Sequence, residues 1–459
     1  MTRSHICVVG GGLAGMAAAL ACADAGAGVT LVERRRRLGG ATWSFRHNGL
    51  WLDNGQHVFL RCCTAYRAFL DRLGIADRVR LQPRLDLPVI APGGRMSRLR
   101  RSRLLPAPAH LGGSLLTYRH LGLRDRLRLG PAALALRRVD VADPETDRRS
   151  FGEWLTGQRQ SPAAREALWD LICRPTVNLP AAEASLALAA MVFQTGLLSD
   201  AGAADIGWAS VPLGELHGDA GRRALEHAGV EVLAGAAVST VDRPPTGGPA
   251  FTVRVADTQR AADAVVVAVP HTAVAGVAAD LAALALVGER LGASPIVNVH
   301  VVYDRRVTDL ELAAGVGTDV QFVFDRSAGA GLERGQYLAV SLSAADEYME
   351  RPSDDVKAGV LASLAELFPR ARAARVVDAL VSREPAATFR GAPGSAAARP
   401  QSTTAVPGLV LAGAWTATGW PATMEGAVRS GTTAARHALL AAGHTRTLPR
   451  LPADEEVRA

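Results

Sequence analysis

At 459 residues, 48% of them hydrophobic, the chain is long enough for two interleaved domains around a sizeable core. Its net charge of +7 comes almost wholly from arginine, since lysine occurs only at Lys357, and no recognition motif accompanies that charge, which argues against a nucleic-acid partner. The five cysteines Cys7, Cys22, Cys62, Cys63 and Cys173 have no metal-ligand spacing, so no metal is expected, their odd number fits a reducing compartment, and no apolar run reaches the roughly 20 residues of a membrane span.

The run Ile6-Cys7-Val8-Val9 reads as a short buried strand, and Gly10-Gly11-Gly12-Leu13-Ala14-Gly15 follows at once. Gly10, Gly12 and Gly15 give the G-x-G-x-x-G spacing, which lets backbone N–H groups approach a pyrophosphate at a helix N-terminus. An Ala-rich helix from Met16 to Ala25 comes next, then a strand, Val29-Thr30-Leu31-Val32, ending at Glu33. That carboxylate is placed to accept ribose hydroxyls. Arg3, the apolar run and the small residues around Ala21-Cys22-Ala23 share the outline of a signal peptide, but the glycines and Glu33 favour a nucleotide site.

Beyond Glu33, the segment Glu33-Arg34-Arg35-Arg36-Arg37-Leu38-Gly39-Gly40 resembles the extended motif of the FAD superfamily that contains amine oxidases and phytoene desaturases. The resemblance implies FAD rather than NAD, with Arg34, Arg35, Gly39 and Gly40 beside the cofactor. The family's second arginine is replaced here by Ala41.

From Arg95 to Arg138 the chain carries eleven arginines and one acid, Asp125, interleaved with leucines. Two readings stay open: a segment lying on an anionic membrane face, or a solvated basic helix pair. Residues from about 91 to 210 read as helix-rich. Strands are then expected at Gly229-Val230-Glu231-Val232-Leu233, Val238-Ser239-Thr240-Val241-Asp242 and Phe251-Thr252-Val253-Arg254-Val255, with a turn at Pro244-Pro245-Thr246-Gly247-Gly248. Ala264-Val265-Val266-Val267-Ala268-Val269-Pro270 is a continuous run suited to a strand buried on both faces, which returns the chain to the nucleotide domain. Ile296 to Tyr303 and Gln321 to Phe324 are assigned to a second, substrate-side sheet. Gly408 to Gly413 reads as the last strand, and Trp415 to Ala427 leads into a helix made close-packing by Gly426, Ala427, Ser430 and Gly431.

The blocks Asp53-Asn54-Gly55-Gln56-His57-Val58, Pro295-Ile296-Val297-Asn298-Val299-His300, Ala387-Thr388-Phe389 and Thr418 to Ala427 closely resemble the squalene-associated FAD-dependent desaturases, better described as hydroxysqualene dehydroxylases. The resemblance covers nearly the whole chain in order. It implies an α/β fold in which a Rossmann-type FAD-binding domain (1–90, 211–280 and 386–459) is interleaved with an α+β substrate domain (a helical, membrane-facing region at 91–210 and a sheet at 281–385). It further implies reduction of hydroxysqualene to squalene in hopanoid or triterpene biosynthesis, fed by an electron donor that the sequence does not identify. Cofactor contacts are expected at Gly10, Gly11, Gly12, Leu13, Ala14, Gly15, Glu33, Arg34, Arg35, Gly39, Gly40, Val238, Gly413 and Met424. The family's acid after the last strand is replaced by Ala414.

Removing an allylic hydroxyl needs a proton for the leaving oxygen and a hydride for the carbon. His57 is the first candidate acid and Glu425 the second, and the π faces of Trp43, Trp51, Trp415 and Trp420 are candidates to steady an allylic cation. A triterpene alcohol already resides in lipid, so a cytoplasmic enzyme peripheral to the inner membrane face is expected. The alternatives are a carotenoid-type desaturase or isomerase, an amine oxidase (disfavoured by only five tyrosines), and a non-catalytic prenyl-lipid carrier.

Overall fold

The computed structural model describes residues 4–243 and 250–444; the turn expected at Pro244 to Gly248 lies outside them. A five-stranded parallel sheet runs in the order Glu231–Ala234, Gly28–Glu33, His5–Val9, Ala264–Val267, Leu409–Leu411. Its strands are apolar on both faces because both are covered, one by helices and the other by a small antiparallel sheet, and Cys7, Val8, Val265 and Val266 are fully buried. Three separated stretches of chain are therefore needed to complete one sheet.

The helices Leu13–Asp24 and Met424–Ala441 pack against this sheet and against each other. Small residues set their distance: a Cβ on Gly431 would stand 2.1 Å from the Ala14 carbonyl oxygen. A three-stranded antiparallel sheet (Val238–Asp242, Phe251–Val255, Thr258–Ala262) stands beside the nucleotide sheet.

The second large sheet has seven strands in the order Val376–Thr388, Ser294–Tyr303, Gln336–Ser343, Phe322–Asp325, Leu312–Gly315, Asp86–Ala91, Arg95–Arg100. Along Ser294–Tyr303 the period of two divides the side chains. Val297, Val299 and Val301 pack with the helix Ser353–Leu367 in one core, while Ile296 and Asn298 face a large cavity.

The segment expected to be helical from 91 onward differs at its start. Arg95–Arg100 forms a strand hairpinned to Asp86–Ala91 through the turn at Gly93 and Gly94, both with positive φ. Alternation in Met96-Ser97-Arg98-Leu99-Arg100 buries Ser97 and Leu99 and exposes the arginines, a period that a helix cannot satisfy. Arg98 and Arg100 pair with Asp86 at 2.9 and 3.3 Å, and Arg101 pairs with buried Asp205 at 2.7 Å. Helices do follow, notably Gly112–Leu116 and Leu123–Leu136.

Candidate active site

A cavity of about 1060 Å³ runs from the glycine loop, between the two large sheets, into the helical region. At its nucleotide end the first strand delivers Gly10, whose φ of +112° and whose approach to the Ala268 carbonyl, 2.5 Å from where a Cβ would stand, admit only glycine. The helix beginning at Leu13 has Gly12 as its N-cap with no side-chain acceptor, so its first N–H groups are offered to an anion. Gly40 arrives from the second cluster: a Cβ there would lie 2.8 Å from the Gly12 Cα, whereas a Cβ on Gly12 would meet only the Gly40 Cα at 3.7 Å. The two glycine clusters therefore face each other closely, and on the Gly40 side the approach admits no side chain.

Gly10, Gly12, Leu13, Ala14, Glu33, Arg34, Arg35, Gly39, Gly40, Val238, Gly413 and Met424 all line the cavity. Two expected contacts do not. Gly11 turns away, its N–H bonded to the Glu33 carboxylate at 2.7 Å, and Gly15 is pressed against the loop, since a Cβ there would fall 1.9 Å from the Gly10 carbonyl oxygen. Their glycines serve loop and helix packing rather than cofactor contact. Glu33 also accepts from the Arg35 N–H at 2.8 Å, so its carboxylate ties the first glycine loop to the turn after its own strand and still has lone pairs for a ribose. These residues fit FAD: an open helix N-terminus, a glycine cradle and a carboxylate at the strand end.

At the far side of the same end, Gly413 donates its N–H to Ser430 Oγ at 2.8 Å and has a φ of +142°. Thr423 caps the last helix through Gly426, which presents Met424 and Ala427 to the cavity. Ala41 and Ala414 line it too.

Glu425 was expected as a candidate acid, and the structure corrects this. Its carboxylate is 1% exposed, lies outside the cavity lining, accepts from the Ala65 and Tyr66 N–H groups at 3.1 and 2.7 Å, and binds Arg429 at 2.6 Å. The helix Thr64–Arg72 has no side-chain cap of its own, so Glu425 satisfies its orphan donors from across the fold.

His57 does line the cavity, but as the wrong kind of acid. Its Nδ1–H donates to the Gly55 carbonyl at 3.1 Å, leaving Nε2 as an acceptor. Burial pulls its pKa below the usual 6.5, against the opposing pull of that bond, so the ring is neutral at pH 7. Trp43 and Trp415 line the cavity, whereas Trp51 is exposed under Arg46 and Trp420 lies beneath Arg429, both away from it.

Three polar residues were missed. Glu384 lines the cavity and accepts from Asn54 Nδ2 at 3.1 Å; with Glu33 it supplies the lining carboxylates among the described residues. Asn298 is fully buried and gives its Nδ2 to the Asn54 carbonyl at 2.9 Å. Gln56 borders the same space. Asn54 thus joins the loop after the diglycine to the second sheet. The available signal for Asn298 was a polar residue at mid-strand among valines; Glu384, beside Pro385, carried none.

The remaining wall is apolar and comes from the helical region: Leu111, Leu115, Leu129, Ala133, Trp169, Leu171, Phe193 and Leu197, with Phe322 and Phe324 from the sheet. Trp169 and Leu197 sit on π-helical turns, Arg165–Trp169 and Gln194–Leu198, which re-aim side chains inside otherwise regular helices.

A sequence model of flavin containing amine oxidoreductases matches residues 13–439. A zeta-carotene desaturase from Synechocystis sp. is 25% identical, with 94% of this chain and 96% of that protein covered. A coproporphyrinogen III oxidase from Propionibacterium freudenreichii is 32% identical over 35% of this chain, and the match spans only 31% of that protein. Among solved structures, cyclohexylamine oxidase from Brevibacterium oxydans superposes with a TM-score of 0.68 at 18% identity, covering 97% of this chain and 100% of that one.

Proposed function

Given that the chain belongs to the flavin-containing amine oxidoreductase family and is an FAD-dependent oxidoreductase, we propose that its reaction is the reduction of hydroxysqualene to squalene. The balance is hydroxysqualene plus reduced FAD giving squalene, water and oxidised FAD. Bound FAD supplies reversible two-electron chemistry at the hydride level. The observation that carries the reading is the join, in one cavity, of a dinucleotide cradle, a polar cluster and a long apolar wall.

Each part has a task. The apolar wall holds the hydrocarbon chain and excludes water from the reacting carbon. The polar cluster on Asn54 holds the end that reacts. Glu384 is the carboxyl group that lines the cavity beside Asn54 and is the proposed route for the proton to the departing oxygen, because the Nδ1–H of His57 is committed to the Gly55 carbonyl and Glu425 is elsewhere. Trp43 and Trp415 present aromatic surface to a carbon that gains positive character as its oxygen leaves.

Full-length likeness to a zeta-carotene desaturase favours a second reading, removal of hydride from a polyene. One experiment separates the two. Holoenzyme with chemically reduced FAD, incubated anaerobically with hydroxysqualene, should yield squalene in amounts set by the FAD supplied. Oxidised holoenzyme with phytoene or zeta-carotene and a quinone should leave the polyene unchanged. Desaturated carotenoid without any squalene would replace the first reading with the second.

Delivery from the bilayer is part of the proposal: the protein docks peripherally on an anionic membrane from the cytoplasmic side. What supports it is the helical region itself. Leu104 is 92% exposed, and Leu116, Leu123, Leu127 and Leu134 are all at least half exposed beside Arg124, Arg126 and Arg128. Leu129 and Ala133 of the helix Leu123–Leu136 face the cavity, so one helix carries both exposed leucines and part of the apolar wall.

A further inference from the structure

Most polar side chains on the cavity wall have their partners within the protein. Asn178 is typical: its Nδ2 donates to the Ser294 carbonyl and to Thr388 Oγ1, both at 3.0 Å, and its Oδ1 accepts from the Ala344 N–H at 2.7 Å. Two side chains differ. Asn298 has an unpartnered Oδ1 and Gln56 an unpartnered Nε2, both buried. The orientation of the Asn298 carboxamide is fixed, because only its NH₂ can face the Asn54 carbonyl 2.9 Å away, so the free atom is the acceptor.

Gly55 keeps this corner open. A Cβ there would stand 3.4 and 3.8 Å from the Asn298 carboxamide and 3.6 Å from His57 Cε1, so a side chain would enter the space beside Asn298, and Gln56, the next residue in the chain, lines the same cavity. A buried acceptor and a buried donor left free cost stability unless something else fills them. An alcohol is the group that matches one acceptor and one donor at once, giving its O–H to the first and taking a hydrogen bond from the second.

We propose that Asn298 Oδ1 and Gln56 Nε2 form a hydroxyl-recognition notch that makes the cavity select an isoprenoid alcohol over the hydrocarbon of the same skeleton. The inference rests on the dehydroxylase reading for the identity of the skeleton, but the preference for the alcohol is measured apart from turnover. The notch explains how a substrate and a product of nearly the same apolar surface are told apart. Once the hydroxyl leaves as water, the hydrocarbon retains nothing to satisfy Asn298 and Gln56, and product release is favoured. Sites built to bond a hydroxyl discriminate strongly against analogues lacking it, because the site's own polar atoms are then left unpaired.

The test titrates oxidised holoenzyme, anaerobically and at fixed detergent, with hydroxysqualene and with squalene, following the flavin absorbance. A second pair, farnesol and farnesene, asks the same question without the triterpene skeleton. The alcohol of each pair should bind at least about tenfold more tightly. Gln56→Met, which breaks no hydrogen bond within the protein, should bring the two affinities together while leaving hydrocarbon binding unchanged; Asn298→Leu should do the same if it retains its flavin. Equal binding of alcohol and hydrocarbon by the wild type, no binding of any probe, or a preference that survives Gln56→Met would overturn the notch. Alcohol preference without squalene formation under reducing conditions would keep the notch and overturn the dehydroxylase reading instead.

Discussion

Single side chains separate cofactor binding, chemistry and folding in this molecule. Gly12→Val has room within the protein, because only the Gly40 Cα stands near, yet its side chain enters the diphosphate space. The variant should fold with an unchanged circular dichroism spectrum and purify colourless; a full complement of FAD would remove the diphosphate from this loop. The two carboxylates divide in the same way. Glu384→Gln should retain flavin and hydrocarbon binding but lower single-turnover squalene formation by about 10²–10⁴-fold, the usual contribution of a positioned acid. Glu425→Gln should instead lower stability, by about 3 kcal/mol, because Arg429 is left buried without its partner while the helix Thr64–Arg72 loses its cap. Denaturant unfolding and flavin-normalised turnover together distinguish the two. Glu425 stands in the first turn of the last helix, beside cavity-lining Met424, and looks catalytic in one dimension. What it caps is a helix more than three hundred residues earlier in the chain, which no local pattern reveals.

Elements were legible where their period was strong and their partners local. The strand, glycine loop, helix and strand ending at Glu33 follow from β-branched runs and turn glycines, and the alternating run around Asn298 is equally plain. Arg95–Arg100 shows the limit. Its arginines sit among other arginines and leucines, and charge density hides the period of two that places Ser97 and Leu99 inside. Pairing with Asp86 and Asp205 also changes what a membrane test must avoid, since neutralising Arg98, Arg100 and Arg101 would undo a hairpin and a buried ion pair. The exposed face of Leu123–Leu136 is the better target. Leu123→Ser with Leu127→Ser, at one turn's spacing, should lower binding to vesicles containing anionic lipid while activity on detergent-dispersed hydroxysqualene persists. Wild-type protein that sediments without the vesicles at low salt would end the docking proposal.

At the scale of the whole molecule, the site exists because distant segments close on one another. The nucleotide sheet needs three stretches of chain, and Asn54 ties the first of them to Asn298 and Glu384 in the second sheet. Motif order in the sequence exposed the interleaving, but which polar residues would meet at Asn54 depends on strand register across more than two hundred residues. The same closure buries histidines in neutral form, with a consequence for the protein as a unit. Burial lowers His300 to about 4 and His217 to about 3, with like-charge repulsion from His47 and His57 respectively adding to the shift. Both rings are hydrogen-bonded, His300 to the Tyr337 hydroxyl and His217 to that of Tyr66, each at 2.7 Å. In the unfolded chain these rings titrate near 6.5, so below that pH the unfolded state binds protons that the folded state refuses. Stability is therefore fully present above pH 6.5 and falls as the pH drops, until the folded rings themselves protonate near 4 and 3. The His300 contribution alone approaches about 3 kcal/mol at the acid limit. The melting temperature of the holoenzyme should decline steadily from pH 7 to pH 4, and His300→Asn should flatten that decline while lowering the value at pH 7. A melting temperature that rises on acidification over this range would mean that the folded protein takes up the protons, and that these rings are open to solvent.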